Sequence, residues 1–217
     1  MLVVGVQVLF GRGTGCQTPV LPALRRLHTV SVPPSSAGVR NTKSGVTLPG
    51  SMAILPIRTF GDPVLRMATK PVDEIDDVVR VLVRDMIETM YHAPGVGLAA
   101  NQVGVSRRIA VFDAHDDLGA RVMVNPEILE TSGSYEFEEG CLSVPNRYWE
   151  ITRPGFARVR ALDLEGNEVE YSGDGLIGRV LQHEVAHLDG GLLLDHLPKR
   201  VRKKALQELR DENMGLR

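Results

Sequence analysis

The chain has 217 residues and a mass of 23.7 kDa, the size of a single ordinary domain. Hydrophobic residues make up 43% and charged residues 24%, a balance that excludes a wholly disordered or fibrous chain and allows a buried core. The formal charge of −2 gives no reason to expect sequence-specific nucleic-acid binding, and no apolar run approaches the roughly 18 to 20 residues that span a membrane.

The first 51 residues differ in composition from the rest. Residues 1–51 carry five basic groups and no acidic one, whereas the chain from Met52 onward has a net charge of −7. This segment is rich in Gly, Pro, Ser and Thr and lacks a periodic apolar face, so we expect a flexible leader and a folded domain over residues 52–217. The leader fits a start assigned too early or an organellar transit peptide; a secretory signal is less suited, because no basic region or Ala-x-Ala site flanks its apolar run.

Three helices are predicted. The first runs from Asp73, its expected cap, to His92, and the following Pro94 and Gly95 prevent it from continuing. Its apolar stripe consists of Ile75, Val79, Leu82, Met86 and Met90. The second runs from about Asp174 to Leu188 and the third, which is basic, from about Lys199 to Asn213. Apolar spacing and terminal Gly or Pro residues support these bounds.

Short strands are predicted between the first and second helices. The first strand-like run is Ile109–Asp113, and two more follow at Val122–Asn125 and Ile128–Thr131. A hairpin then joins residues 157–161 to residues 168–171 through a turn at Glu165-Gly166-Asn167. Short antiparallel strands between helices predict an α+β fold, packed around the second helix.

The second helix carries His183-Glu184-Val185-Ala186-His187. Histidines four residues apart lie about 40° apart around a helix, so both imidazoles project from one face. Two imidazoles at this spacing can hold a divalent ion, with the Glu between them as general base. The pattern predicts a metal centre, although an amphipathic helix could also carry two histidines by chance.

A catalytic ion needs a third protein ligand. A histidine six residues after His187 would suit one protease pattern, but Leu193 occupies that position. Glu208 or Glu212 on the third helix, or Cys141 in Glu139-Gly140-Cys141-Leu142-Ser143, could complete the set. Cys141 and Cys16 are the two cysteines, and their different contexts make a disulfide between them improbable. A lone cysteine is more often a small buried hydrophobe, so the third ligand stays open at this point.

A glycine-rich segment, Gly95-Val96-Gly97-Leu98-Ala99-Ala100-Asn101-Gln102, follows the first helix. Its two glycines allow the backbone to pass close to a ligand, and Gln102 adds a polar group at its end. It isn't a dinucleotide-binding fingerprint, because such a fingerprint follows a strand and opens a helix.

Together the three segments closely resemble the peptide deformylases. The family's Gly-x-Gly-x-Ala-Ala-x-Gln, Glu-Gly-Cys-Leu-Ser and His-Glu-x-x-His motifs occur here in the family's order, at residues 95–102, 139–143 and 183–187. The resemblance runs from about Met52 to Leu197. It implies an enzyme that removes the N-formyl group from the formylmethionine of newly made polypeptides and releases formate.

The resemblance also implies a role for each matching residue. Cys141, His183 and His187 would bind the ion, which would be Fe(II), with Zn(II), Ni(II) or Co(II) as further candidates. Glu184 would act as general base and acid, and Gln102 and the Leu142 backbone N–H would stabilise the developing oxyanion.

Substrate-binding residues are implied as well. The substrate backbone would pair with Val96, Gly97 and Gly140, while Leu176 and Val180 would form part of an apolar methionine pocket. The basic third helix could contact the ribosome, although a solvated surface helix explains it equally well. The expected location is the cytoplasm, or an organelle if the leader is a transit peptide.

One motif position departs from the family. Ala186 stands where the family usually has Asp, which puts the groups that orient the metal ligands in doubt. Two other functions are weighed: a zinc endopeptidase with a downstream Glu ligand, and a relative that has lost activity. An endopeptidase would leave two of the three motifs without a purpose. Loss of activity is disfavoured because every residue proposed to take part in the reaction is present.

Overall fold

The computed structural model describes residues 53–116 and 118–215, so the predicted leader and Met52 lie outside the described residues. Within these residues the elements are three α-helices, seven strands and three short 3-10 turns. The helices are α1 (Asp77–His92), α2 (Gly175–Leu188) and α3 (Lys199–Asn213). The strands are β1 (Gly97–Ala99), β2 (Ile109–Phe112), β3 (Arg121–Ser132), β4 (Tyr135–Cys141), β5 (Val144–Arg153), β6 (Phe156–Leu162) and β7 (Glu168–Asp174). The α+β prediction is confirmed.

Helix α1 begins four residues later than predicted. Asp76, not Asp73, is its N-cap, and the Asp76 carboxylate accepts a hydrogen bond of 2.8 Å from the Val79 N–H. The prediction of Asp73 was wrong because Asp73, Asp76 and Asp77 all lie near the start of the apolar stripe and sequence alone does not distinguish among them.

All strand pairs are antiparallel and form two separate sheets. One has five strands in the order β1-β2-β3-β6-β7, and the other is the β4–β5 hairpin. The prediction of two short strands at 122–125 and 128–131 was wrong, since β3 runs through both. Asn125 has a left-handed φ of 53° and precedes Pro126, and the pairing of β3 with β6 shifts register beside them. Because Asn125 and Pro126 separate two apolar runs, the sequence of this single strand was interpreted as two strands.

Both faces of the five-stranded sheet are buried at β2, because alternate residues of this strand point to different helices. Ile109 and Val111 pack in a cluster with α1, whereas Ala110 and Phe112 pack in a cluster with α2. A third cluster joins the β4–β5 hairpin, including Cys141, to α3. Helix α2 contacts the five-stranded sheet through its apolar side chains and the hairpin through hydrogen bonds from Arg179 to the carbonyls of Tyr135 and Ile151. None of the helices in the described part of the chain is both long and apolar enough to cross a membrane.

Candidate metal centre

Three potential metal ligands meet where α2 faces the end of β4. His183 and His187 lie one turn apart on α2, and Cys141 is the last residue of β4. The Cys141 Sγ lies 3.2 Å from the His187 Nε2, which lies 3.1 Å from the His183 Nε2. The three donor atoms all lie within 4.8 Å of one another, and all three side chains are buried.

This donor set fits a divalent transition-metal ion. Bond lengths of about 2.3 Å to sulfur and 2.0–2.1 Å to nitrogen imply donor separations of about 3.3–3.6 Å in a tetrahedral site. The two separations given above are slightly shorter and the third lies within 4.8 Å, so small movements of the side chains would admit an ion. One thiol and two imidazoles suit iron, zinc, cobalt or nickel better than magnesium or calcium, which prefer oxygen ligands.

Glu139 orients the first histidine. The His183 Nδ1 lies 2.7 Å from the Glu139 Oε1, so a neutral His183 donates from Nδ1 and leaves the Nε2 lone pair facing the other two ligands. Burial alone would raise the pKa of Glu139, but hydrogen bonds from His183 and Arg153 outweigh it and hold that pKa well below its usual value. Burial lowers the pKa of His183, which favours the neutral ring. The site thus presents His183 in the form that binds a metal.

Burial also sets the protonation of the other two ligands. It raises the pKa of the Cys141 thiol to about 12, with nearby Glu184 and Glu139 adding to the effect. Burial and the neighbouring His183 lower the pKa of His187 well below its usual value. A cation would favour the thiolate, because a thiolate is the form that binds metals.

Glu184 is the residue between the two histidines and is fully buried. Neither of its carboxylate oxygens has a hydrogen-bond partner among the described residues. Burial, and next the charge of Glu139, raise its pKa well above the usual value. A carboxyl group with a raised pKa can both accept and donate a proton near neutral pH.

Gln102 lies in a short 3-10 turn at Ala100–Val103, directly after β1. Its Oε1 accepts a hydrogen bond of 2.9 Å from the Ala99 N–H. Its Nε2 therefore points to the candidate ligand Cys141, 3.2 Å from the Ser143 Oγ and 3.8 Å from the Cys141 Sγ. The glycine-rich segment at 95–102 is thus partly strand and partly 3-10 turn.

The amino-acid sequence matches a known protein family. The family model described as Polypeptide deformylase matches residues 54–203. A peptide deformylase 1 from Clostridium perfringens is 50% identical over 145 residues, covering 67% of this chain and 99% of that protein.

The chain belongs to the polypeptide deformylase family.

Solved deformylase structures share the fold as well. A peptide deformylase from Legionella pneumophila is 43% identical, with a TM-score of 0.70 over 76% of this chain and 99% of that one. A class I type b peptide deformylase from Acinetobacter baumannii, solved with Met-Ala-Ser bound, is 34% identical with a TM-score of 0.65 over 68% and 100% of the two chains. The chain is thus a metal-dependent hydrolase that removes the N-formyl group of nascent polypeptides.

The residues that the motifs suggest for substrate binding lie at or before β1, at the end of β4 and its turn, and on α2. Gly97 is in β1, an edge strand of the five-stranded sheet, and Gly140 precedes Cys141 in β4. Leu142 follows Cys141 in the turn between β4 and β5. Val96 is fully buried, and its carbonyl accepts a hydrogen bond from the Asp113 N–H. Leu176 and Val180 pack on the α2 side of the core.

The other proposed third ligands lie elsewhere in the deformylase fold. Glu208 and Glu212 on α3 both bind Arg147 of β5, with 2.7 Å between the Arg147 Nη1 and the Glu208 Oε2. This arrangement removes the basis for the endopeptidase alternative. Ala186 is partly exposed on α2, and its carbonyl accepts a hydrogen bond of 2.7 Å from the Gly191 N–H.

Sequence reasoning gave no role to three charged residues of the deformylase centre. Glu139, Arg153 and Arg179 are nearly fully buried, and both arginines donate hydrogen bonds to the Glu139 carboxylate beside His183. A signal for Arg179 was present, because it is the only Lys or Arg in the otherwise largely apolar α2. A buried charge of this kind requires a partner, and its partner lies 40 residues earlier in the chain.

Proposed function

We propose that Cys141, His183 and His187 hold the catalytic ion of this deformylase and that Glu184 moves the proton during hydrolysis. The observation that carries this proposal is the convergence of the three donor atoms within 4.8 Å beside a buried carboxyl group without a partner. A bound divalent ion would acidify a water molecule and polarise the formyl oxygen. We propose Fe(II) as the native ion, since the donor set accepts it and the family resemblance favours it.

The chain's own residues would complete the reaction. Glu184 accepts a proton from the attacking water as the water oxygen bonds to the formyl carbon. The Gln102 Nε2 and the Leu142 N–H donate hydrogen bonds to the negative charge that develops on the formyl oxygen. Glu184 then donates the proton to the departing amine as the carbon–nitrogen bond breaks, which releases formate and a free N-terminus.

We propose that the substrate backbone lies between β1 and β4. Within the described residues, each of these strands pairs with only one neighbour, so Gly97 and Gly140 lie in strands with an open edge. The backbone groups of Val96, Gly97 and Gly140 would bind an extended peptide as an added strand. Leu176 and Val180 would form part of the wall around the methionine side chain.

A formate-release assay on formyl-Met-Ala-Ser tests the proposed function. The protein should be purified without oxygen, and its metal content measured in the same sample. We expect formate release in proportion to bound iron. Activity that follows zinc content instead would contradict Fe(II), and cleavage of internal peptide bonds without formate release would contradict the deformylase assignment.

Gly97 should be intolerant of a side chain. A Cβ at this position would lie 2.7 Å from the Val180 Cγ2 and closer still to the Glu184 Oε1, so Glu184 must move. Because a displacement of about 1 Å can cost about 10²-fold in rate, we expect Gly97→Ala to lower kcat by about that factor while metal content is retained. Gly155→Ala is the matched control, since its Cβ would make only an ordinary 3.6 Å contact with Tyr135. Equal rates in the two variants would contradict the placement of Glu184.

We propose that residues 1–51 form a leader outside the catalytic domain of residues 52–217. Removing residues 1–51 should leave kcat and KM unchanged within about twofold, because all proposed site residues lie after Met52. A large drop in kcat would mean that the segment belongs to the folded enzyme. Cell fractionation of the full and shortened chains distinguishes the expected cytoplasmic location from import into an organelle.

We also propose that α3 contacts the ribosome. Its exposed basic residues could contact phosphate groups of ribosomal RNA, in a salt-dependent manner. These residues are Lys199, Arg200, Arg202, Lys203 and Lys204. Lys199→Glu with Lys203→Glu should weaken co-sedimentation with ribosomes and leave hydrolysis of the tripeptide unchanged. Unchanged co-sedimentation would favour an ordinary solvated helix.

A further inference from the structure

Arg179 connects α2 to the hairpin that carries Cys141. It lies one turn before His183 on α2, and only 2% of its side chain is exposed. Its Nη2 donates a hydrogen bond of 2.8 Å to the Tyr135 carbonyl of β4, and its Nη1 donates one of 3.2 Å to the Ile151 carbonyl of β5. The guanidinium carbon also lies 5.3 Å from the centre of the Tyr135 ring. One side chain thus bonds both strands of the hairpin.

The same guanidinium reaches a metal ligand through Glu139. The Arg179 Nη1 donates a hydrogen bond of 2.5 Å to the Glu139 Oε2, while the His183 Nδ1 bonds the other oxygen at 2.7 Å. Arg153 also donates to both oxygens, with 2.7 Å between its Nη2 and the Glu139 Oε1 and 2.9 Å between its Nε and the Glu139 Oε2. The carboxylate is therefore fixed at each of its oxygens.

The ligands themselves belong to two separate structural units. His183 and His187 are on α2, which packs against the five-stranded sheet, whereas Cys141 ends a strand of the separate two-stranded sheet. Metal affinity depends on how well the donors are held in place before the ion binds. Any looseness between α2 and the hairpin would change the separation between the sulfur and the imidazole nitrogens.

We propose that Arg179 is a positioning residue that clamps α2 onto the β4–β5 hairpin and so fixes Cys141 relative to the two histidines. The proposal rests on the proposed metal centre. Arg179 acts through Glu139 and the hairpin backbone and makes no contact with the reacting atoms in this scheme. It increases the affinity of the site for its ion and slows the release of that ion.

A purely structural role explains Arg179 less well. Two guanidinium groups bond a single carboxylate, and the Arg179 Nε has no hydrogen-bond partner among the described residues. Burying such a charge is costly, and an apolar side chain of similar size often stabilises a fold equally well. The three directional bonds of Arg179 instead match the planar donor fork of a guanidinium.

Binding of Co²⁺ to the metal-free enzyme, followed by its visible absorption, tests the proposal. The parent enzyme should bind one Co²⁺ per chain, and failure to do so would overturn the metal centre itself. Arg179→Met should bind Co²⁺ about 10- to 100-fold more weakly and release it faster to a chelator, the range seen when groups behind metal ligands are removed. Arg158→Met is the control, because Arg158 lies on β6 with 42% of its side chain exposed.

Thermal unfolding separates the clamp from a general loss of stability. A merely structural role would lower the Tm of the metal-free and Co²⁺-loaded forms equally, whereas a clamp reduces the increase in Tm that Co²⁺ produces. If the Arg179→Met variant does not fold, Arg179→Lys replaces it in the same measurements. A single ammonium cannot bond Glu139 and both carbonyls with the same geometry, so we expect about a 3- to 10-fold loss of affinity. Parent-like Co²⁺ affinity in a folded Arg179 variant, with the parent binding normally, would overturn the clamp.

Discussion

Glu184→Gln is expected to lower kcat for formyl-Met-Ala-Ser by about 10³-fold, within the range attributed to a positioned general base. Glutamine has nearly the same shape as glutamate but cannot accept the proton of the attacking water or return it to the amine. Among the described residues, the Glu184 carboxylate makes no hydrogen bond to Cys141, His183 or His187. The substitution should therefore leave the ion bound. The measurement is kcat on samples whose metal content has been matched.

The stability of the same variant provides an independent check. Burial raises the pKa of Glu184 and so favours its neutral form, and glutamine is neutral with nearly the same shape, so the Tm of the metal-free protein should change little. Glu168→Gln is the control, since Glu168 lies at the start of β7 with 63% of its side chain exposed. Turnover by Glu184→Gln within tenfold of the parent would exclude Glu184 as the proton carrier.

Cys141→Ala should abolish metal binding and formate release together. The sulfur is one of only three protein donors proposed at the site, and a catalytic centre of this type needs all three to retain its ion. We expect the metal content to fall from one ion per chain to a small fraction, with activity falling in proportion. Elemental analysis and the formate assay should be made on one preparation.

Lost packing must be separated from lost coordination in this variant, because Cys141 also belongs to the buried cluster between the hairpin and α3. Val144→Ala removes buried volume from the same cluster and keeps the Val144 backbone N–H, which is the group that hydrogen-bonds to Cys141. Compared in the metal-free form, it should lower the Tm by more than Cys141→Ala, since it removes two methyl groups, and it should still bind one ion. If Cys141→Ala retained a full complement of metal, the ligand assignment would be wrong.

Much of the fold could be predicted because local patterns coincide with the native elements. Helix α3 has the predicted bounds, and the β6–β7 hairpin has its turn at the predicted Glu165-Gly166-Asn167. The exceptions depend on tertiary contacts. Asn125 interrupts β3 with a left-handed φ, and its side chain exchanges two hydrogen bonds with the backbone of Val72. Nothing near Asn125 in the sequence indicates a partner 53 residues away.

Candidate ligands could be recognised from motifs, but their supporting groups could not. His183 and His187 share a helix face by spacing alone. The partners of Glu139, by contrast, come from the end of β5 and from α2, and their convergence depends on the packing of two sheets and a helix. Pairing of buried charges follows from desolvation, and desolvation is known only once the fold is known.

The open edges of β1 and β4 beside the metal ligands bear on how many different proteins one such enzyme can serve. Main-chain N–H and C=O groups repeat identically in every polypeptide, whatever side chains they carry. An enzyme that grips its substrate by these groups beyond the first methionine distinguishes little between one gene product and another. A single catalyst can then serve an entire proteome, with discrimination left to the chemistry of the terminal residue.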